Sequence, residues 1–327
     1  MPSVARRPIS TTTILSLILV PVLIYLLTMP FRDHLQSLLN KAEQSYSQHT
    51  SGSSPPIPYA SKPRPSSSIA SSNPYWSPDL SNPDVTINFR HETGQHGWGN
   101  NEAQNYVSSP SNSFHDGSSL VLRAIIDSSR SSPAEEYTSA RLTSHATLGR
   151  PRGCLTAHIT GPVAQGIWPA FWLLPADPFV WPTDGEVDIF EAWDGDPVNH
   201  SCLHWGFFNG EDWNKHRVIE SSLSNIATHG HRFDFVWDEK DDGTGRLLWY
   251  IDGRPVMKAA KPSGTRKMSD FRILINIAVG GNVCKGHMPR NGVYEMKVQN
   301  LAMLESGPGG WQAFDRDWNS AQEGHGM

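Results

Sequence analysis

The residues best suited to chemistry in this chain lie in one short run, Trp181-Pro-Thr-Asp-Gly-Glu186-Val-Asp188-Ile-Phe-Glu191. In an extended strand successive side chains alternate between faces, so Glu186 and Asp188 share one face while Val187 and Ile189 turn into the core. Continued alternation sends Phe190 to the acidic face and Glu191 into the core, where an unpaired charge is very costly. One extra residue, a β-bulge, resets the phase and returns Glu191 to the side of Glu186 and Asp188. Three such carboxylates are either an exposed acidic strand or a working set. Context favours the second reading, since only 18% of the chain is charged and Trp181 flanks the cluster. A retaining glycosidase needs an ionised carboxylate as nucleophile and a protonated one as acid, about 5–5.5 Å apart. A third acid between them separates their protonation states, because like charges push neighbouring pKa values apart.

The elements that must hold this face are strands. The chain has 327 residues with 27 Gly and 25 Pro, a turn-rich composition that excludes a helical bundle or coiled coil. From about Asp84 short apolar or alternating runs recur between Gly, Asn, Asp and Pro. They include Ser119–Ala124, Phe233–Trp237, Leu247–Ile251, Arg272–Val279 and Val293–Leu304. Asp252-Gly253, between two of these runs, signals a hairpin. Neither an amphipathic helical stretch nor an internal repeat is legible. Roughly 240 residues of this texture make one all-β sandwich or barrel. The 12 Trp, 8 Tyr and 12 Phe supply either a core or flat stacking platforms. Trp237 and Trp249, inside strand-like runs, read as core, and Trp168 suits either role. Net charge is −5, so no basic surplus exists to neutralise phosphates and nucleic acid is excluded as a partner.

The amino-terminal part has a different texture. Thr11–Met29 is uncharged over 19 residues, enough to cross a bilayer as a helix despite Pro21. Arg6 and Arg7 precede it, which places residues 1–10 in the cytoplasm and the rest of the chain outside or in the lumen. Its long apolar core, with no small-residue cleavage site, predicts an uncleaved signal anchor; secretion after cleavage is the alternative. Ser51–Val85 holds 11 Ser and 8 Pro in 35 residues, too few apolar side chains to offset ordering entropy. Residues 30–85 therefore read as a stalk, 86–305 as the folded domain and 306–327 as a tail. In a secretory context Asn199-His-Ser201 is an N-glycosylation sequon.

The acidic run resembles the Glu-x-Asp-x-x-Glu signature of glycoside hydrolase family 16, in the bulged form of laminarinase-like endo-1,3(4)-β-glucanases. Five further segments carry the same resemblance. They are Trp98-Gly-Asn-Asn-Glu-Ala-Gln-Asn-Tyr106, Thr138-Ser-Ala-Arg141-Leu-Thr143, Gly166-Ile-Trp168-Pro-Ala-Phe-Trp172-Leu-Leu-Pro175, and the pair Trp249-Tyr-Ile-Asp-Gly253 with Asn276-Ile-Ala-Val-Gly-Gly281. The resemblance implies a concanavalin A-like β-jelly-roll with an open cleft. It also implies a retaining endo-β-glucanase acting on β-1,3-linked, or mixed 1,3-1,4 or 1,3-1,6, glucan. Glu186 matches the nucleophile, Glu191 the acid/base and Asp188 the acid between them. His204 matches a histidine close to the acid/base, and Trp172 and Trp181 match sugar-stacking aromatics. Arg141 and Asn101 match polar groups lining the glycone side. The chain departs from the pattern at Ala140, at Arg150-Pro-Arg-Gly-Cys154 and at Val283, where many members carry a sugar-stacking Trp.

A wall-remodelling glucan transglycosylase uses the same carboxylates and is the nearest alternative. A galactan-cleaving enzyme shares the motif, and a non-catalytic β-glucan-binding protein shares the scaffold but typically lacks the glutamates. Three cysteines predict one disulfide and one free thiol. In the implied fold Cys202 and Cys284 border the cleft and pair, leaving Cys154 buried and free. No spacing suggests zinc, no cofactor is expected, and the structural calcium of many relatives has no locatable ligands here. The expected partners are a glucan polymer and the membrane, with the chain a monomer.

Overall fold

The computed structural model describes residues 74–207, 212 and 215–326. The uncharged stretch 11–29 and most of the Ser/Pro-rich segment lie outside the described residues. Among those described, no helix is long and apolar enough to cross a membrane.

The described chain folds into strands β1 (Phe89–His91), β2 (Asn105–Tyr106), β3 (Ser113–His115), β4 (Leu120–Ile126), β5 (Tyr137–Ser139), β6 (Arg141–Thr147), β7 (Arg152–Thr160) and β8 (Ile167–Pro175). They continue as β9 (Glu186–Glu191), β10 (Val198–His204), β11 (His216–Ser222), β12 (His231–Glu239), β13 (Gly245–Ile251), β14 (Arg254–Lys261), β15 (Phe271–Val279) and β16 (Gly292–Leu304). A seven-stranded sheet runs β1-β6-β15-β8-β9-β10-β11. The nine-stranded sheet runs β14-β13-β12-β7-β16-β4-β5-β2, with β3 on β4. The two sheets stack as the all-β jelly-roll sandwich that the sequence implies.

Alternation explains the core between them. On β9, Val187, Ile189 and Phe190 are buried, and Phe190 meets Phe233 of β12 with ring centroids 5.1 Å apart. Trp249 packs edge-on to Phe235 at 4.9 Å, and Trp237 and Trp249 are at most 1% exposed, as their strand-like runs predict. Full burial of one such aromatic contributes roughly 1.5–3 kcal/mol. Asp252 and Gly253 join β13 to β14 with φ of 51° and 73°, the doubly positive geometry of a type I′ hairpin turn.

Two boundaries differ from expectation. The domain begins before residue 86. Tyr75 N–H donates to Met303 O, Met303 N–H to Trp76 O, and Trp76 lies edge-on to Phe89. Two aromatics anchor this piece, although the Ser and Pro around them read as stalk. At the other end, 306–327 contains a helix. Helix is otherwise limited, among the described residues, to the four-residue α1 (Pro133–Glu136) and short 3₁₀ turns. The second helix, α2 (Gly310–Ser320), carries Trp311, Phe314 and Trp318 at spacings of three and four. These cover Val236, Leu248 and Tyr250 on the outer face of the nine-stranded sheet. No side-chain cap announces α2, which starts after the positive-φ Gly309.

Candidate active site

Strand register brings the acids together on the outward face of the seven-stranded sheet. Glu186 lies opposite His204, Asp188 opposite Cys202 on one side and Trp172 on the other, and Glu191 opposite Ala170. Between Asp188 and Phe190 the β8–β9 register shifts by one residue, so Ile189 is the bulge that Glu191 requires. Side chains hold that irregular backbone. Trp249 reaches through the core and its indole N–H donates to Asp188 O at 2.8 Å. Asn199 donates to Ile189 O at 3.3 Å and accepts the Glu191 N–H at 2.9 Å.

Each glutamate is oriented by an indole. Trp181 Nε1 donates to Glu186 Oε2 at 2.8 Å, and Trp168 Nε1 to Glu191 Oε1 at 2.7 Å. His204 Nε2 lies 3.4 Å from Asp188 Oδ2, 3.9 Å from Glu186 Oε1 and 3.2 Å from Cys202 Sγ. The contact with Asp188 is an ion pair, and Oδ2 is otherwise buried without a hydrogen-bond partner.

The electrostatics follow from crowding. Burial, then the neighbouring Asp188, pushes Glu186 up to about 7, against the pull of His204, Trp181 and Arg141. Burial again, then both Asp188 and Glu186, holds Glu191 well above the usual carboxylate range. Burial alone would lower His204, but Cys202, Asp188 and Glu186 outweigh it and keep the imidazole protonated well above its ordinary value. Perturbed groups clustered in this way mark a functional site.

The other expected residues fall on the same face or beside it. Trp172 donates its indole N–H to Asn276 Oδ1 at 2.8 Å. The Arg141 guanidinium packs on both Trp98 and Trp172, 4.9 and 4.8 Å from the ring centroids. Arg141 Nε donates to Glu92 Oε2 at 2.7 Å. Asn101 is exposed and donates to Asn282 Oδ1 at 3.2 Å. Beside it Gly281, at φ 74°, passes so close to Asn100 O that a Cβ would stand 2.6 Å away, which explains a glycine there. Trp181 is 45% exposed, leaving much of its ring to solvent.

Two expectations are corrected. Asn199 is not an accessible glycosylation site, because it is fully buried with its amide spent on the bulge. Cys202 and Cys284 do not pair, since all three cysteines are free and buried. Cys202 faces His204, whereas Cys284 sits against the backbone of Asp194 and Gly280. Cys154 is buried and free as expected.

Sequence reasoning missed several partners. Glu92 holds Arg141 and accepts from Thr143 Oγ1 at 2.6 Å, and nothing local in the sequence pointed to it. Glu102 is buried, is pushed up to about 7 by that burial, and accepts from Gln104 at 2.7 Å. Its box was legible, though its burial was not. Among the described residues one group of His, Cys, Asp or Glu has metal-like spacing, Asp188 with Cys202 and His204. A thiol and an imidazole suit a soft ion, not calcium.

Residues 101–233, a span containing all three carboxylates and His204, match the XgeA-like, catalytic GH16 domain. The chain is 28% identical over 251 residues to glucan endo-1,3-beta-glucosidase A1 of Niallia circulans, covering 68% of this chain and 36% of that protein. It is 27% identical over 184 residues to endo-1,3-1,4-beta-glycanase ExsH of Rhizobium meliloti, covering 56% of this chain and 35% of that protein. The chain thus spans about a third of the length of these curated relatives. Among solved structures, the laminarinase catalytic domain of Thermotoga maritima aligns with a TM-score of 0.58 at 25% identity, covering 69% of this chain and 95% of that one.

Proposed function

We propose, from the premise that this is a glycoside hydrolase family 16 domain of the laminarinase type, that the chain is a retaining endo-β-glucanase acting on β-1,3-linked glucan. The observation that carries the reading is the unequal setting of two glutamates on one sheet face. Trp181 binds Oε2 of Glu186, leaving Oε1 beside His204 as the attacking oxygen. The imidazolium favours Glu186 as the first of the pair to ionise. Glu191 carries two raising neighbours and keeps its proton. With Oε1 accepting from Trp168, that proton sits on Oε2 and is available to the leaving glycosidic oxygen.

In the first step Glu186 Oε1 attacks the anomeric carbon as Glu191 passes its proton to the departing sugar, giving a glycosyl ester on Glu186. Glu191, now ionised, then takes a proton from water, which attacks the ester and restores both groups. Asp188 sits between the two acids and raises both. Trp181 and Trp172 offer apolar faces to sugar C–H groups, while Arg141 and Asn101 offer hydrogen bonds to hydroxyls. A signal anchor at residues 11–29 would hold the domain on the outer or luminal side of a membrane.

The test incubates the full chain with laminarin, lichenan and agarose, with Glu186→Gln in parallel, and follows product size and early anomeric configuration by NMR. Short β-anomeric glucans from laminarin that vanish in the variant are expected. Products longer than the starting chains would assign a transglycosylase, and cleavage of agarose alone a galactanase. Binding of laminarin with no cleavage would overturn the enzymatic reading.

A further inference from the structure

We propose that Asp188, Cys202 and His204 form a binding site for a thiophilic divalent cation of the zinc type. The fold builds the site from two adjacent strands. Asp188 on β9 and Cys202 on β10 are direct register partners, and His204 follows Cys202 by two residues, so all three side chains leave the same face. Their ligand atoms all lie within 4.8 Å of one another. Cys202 Sγ is 3.2 Å from His204 Nε2, which is 3.4 Å from Asp188 Oδ2. A tetrahedral zinc with bonds of about 2.0–2.3 Å sets its ligand atoms about 3.3–3.5 Å apart, so the Cys202–His204 and His204–Asp188 pairs already stand near the required spacing.

The independent observation is Asp188 Oδ2. Asp188 is only 3% exposed, and this oxygen has no hydrogen-bond partner. The one cationic group beside it is the His204 imidazole at 3.4 Å, an ion-pair contact without a hydrogen bond, and a metal cation would give this buried oxygen the direct partner it lacks. Thiolate, imidazole and carboxylate together select zinc or cadmium over calcium and magnesium, which take oxygen ligands. Binding requires Cys202 as thiolate and His204 neutral at Nε2, so the thiol proton and the imidazolium proton leave to solvent. An ion there engages Asp188 and His204, and because two protons leave as the dication binds, it replaces the His204 proton beside Glu186 without changing the net charge of the site. Resting on the glucanase reading, the consequence is reversible inhibition by thiophilic metal; the binding itself does not depend on that reading.

The full chain titrated with cadmium tests the proposal through the ultraviolet thiolate-to-metal absorption band. We expect a band saturating at a single equivalent. It is lost in Cys202→Ser, weakened about tenfold or more in His204→Gln, and retained in Cys154→Ala and Cys284→Ser. No band, or a band that survives Cys202→Ser, overturns the site. Thermal melts without metal check that each variant folds; should Cys202→Ser fail to fold, His204→Gln and Cys284→Ser decide, and loss of the band in Cys284→Ser instead places the metal elsewhere. Laminarin cleavage is then measured with zinc, with chelator to reverse it. Cadmium binding by a chain that cleaves no glucan leaves the site standing and removes the glucanase reading, whereas cleavage without cadmium binding does the reverse.

Discussion

Two buried aspartates, one on the outward face of each sheet, show how differently this fold treats the same side chain. Asp188 and Asp234 are each 3% exposed. Asp234, on β12, accepts from Thr156 Oγ1 at 2.7 Å and from Arg232 Nε at 2.9 Å. Asp188 has an oxygen with no hydrogen-bond partner, and two glutamates share its face. Around Asp234 the outer face is finished like a small core, with Phe314 of α2 packed on Tyr250 and Leu248 and Arg246 tied to Asp238 and Asp315. Where burial is matched by partners, the polar group serves the fold. Where three acids share one buried face, Asp188 pushes up the pKa values of the two glutamates beside it, which is the setting acid–base chemistry needs.

The sharpest way to break the contrast is Glu186→Gln. Laminarin kcat should fall on the order of 10⁴-fold or more, with no loss of thermal stability, measured by product assay and calorimetry on one preparation. Glu191→Gln should lower kcat about 10²–10⁴-fold while raising the melting temperature at pH 8 and leaving it near wild type at pH 4. The sign follows from linkage. Glu191 has a raised folded-state pKa, so the stability it contributes is full below its unfolded value near 4.5 and is lost as pH rises through the folded value. A permanently neutral Gln escapes that loss. Equal destabilisation at both pH values would contradict it.

On the other face the outcome should invert. Asp234→Ala leaves Thr156 and Arg232 without their acceptor and should cost about 1–3 kcal/mol by denaturant unfolding, with kcat within twofold of wild type. A large kcat loss there would end the distinction between the faces. The smallest effect expected is on pH dependence. Asp188 raises both glutamates, so Asp188→Asn should move both limbs of the kcat/KM profile to lower pH. A profile left in place would mean that burial alone sets those values.

The carboxylate set was legible because its physics is local, whereas His204, Trp172, Arg141 and Asn101 were reached through the family resemblance. The bulge at Ile189 follows from the cost of burying Glu191, and the strands around it follow from period-two patterning. What stayed hidden depends on distant partners. Trp249 holds Asp188 O across 61 positions, and Glu92 meets Arg141 across 49. The sequon at Asn199 is a three-residue pattern, whereas its burial is set by the strands on either side. The cysteine arithmetic gave a parity but no geometry. Helix α2 escaped because it opens on Gly309 at the cap and Gly310 at its first position, with no capping side chain, although its aromatic spacing was present.

The most direct test of the account is to trap the intermediate. A laminari-oligosaccharide carrying a 2-fluoro substituent and an activated leaving group is incubated with the full chain, and the labelled peptide is mapped by mass spectrometry. The account predicts one glycosyl group, esterified to Glu186, absent from Glu186→Gln. A label on Glu191, or rapid turnover to an inverted product with no label, would contradict it.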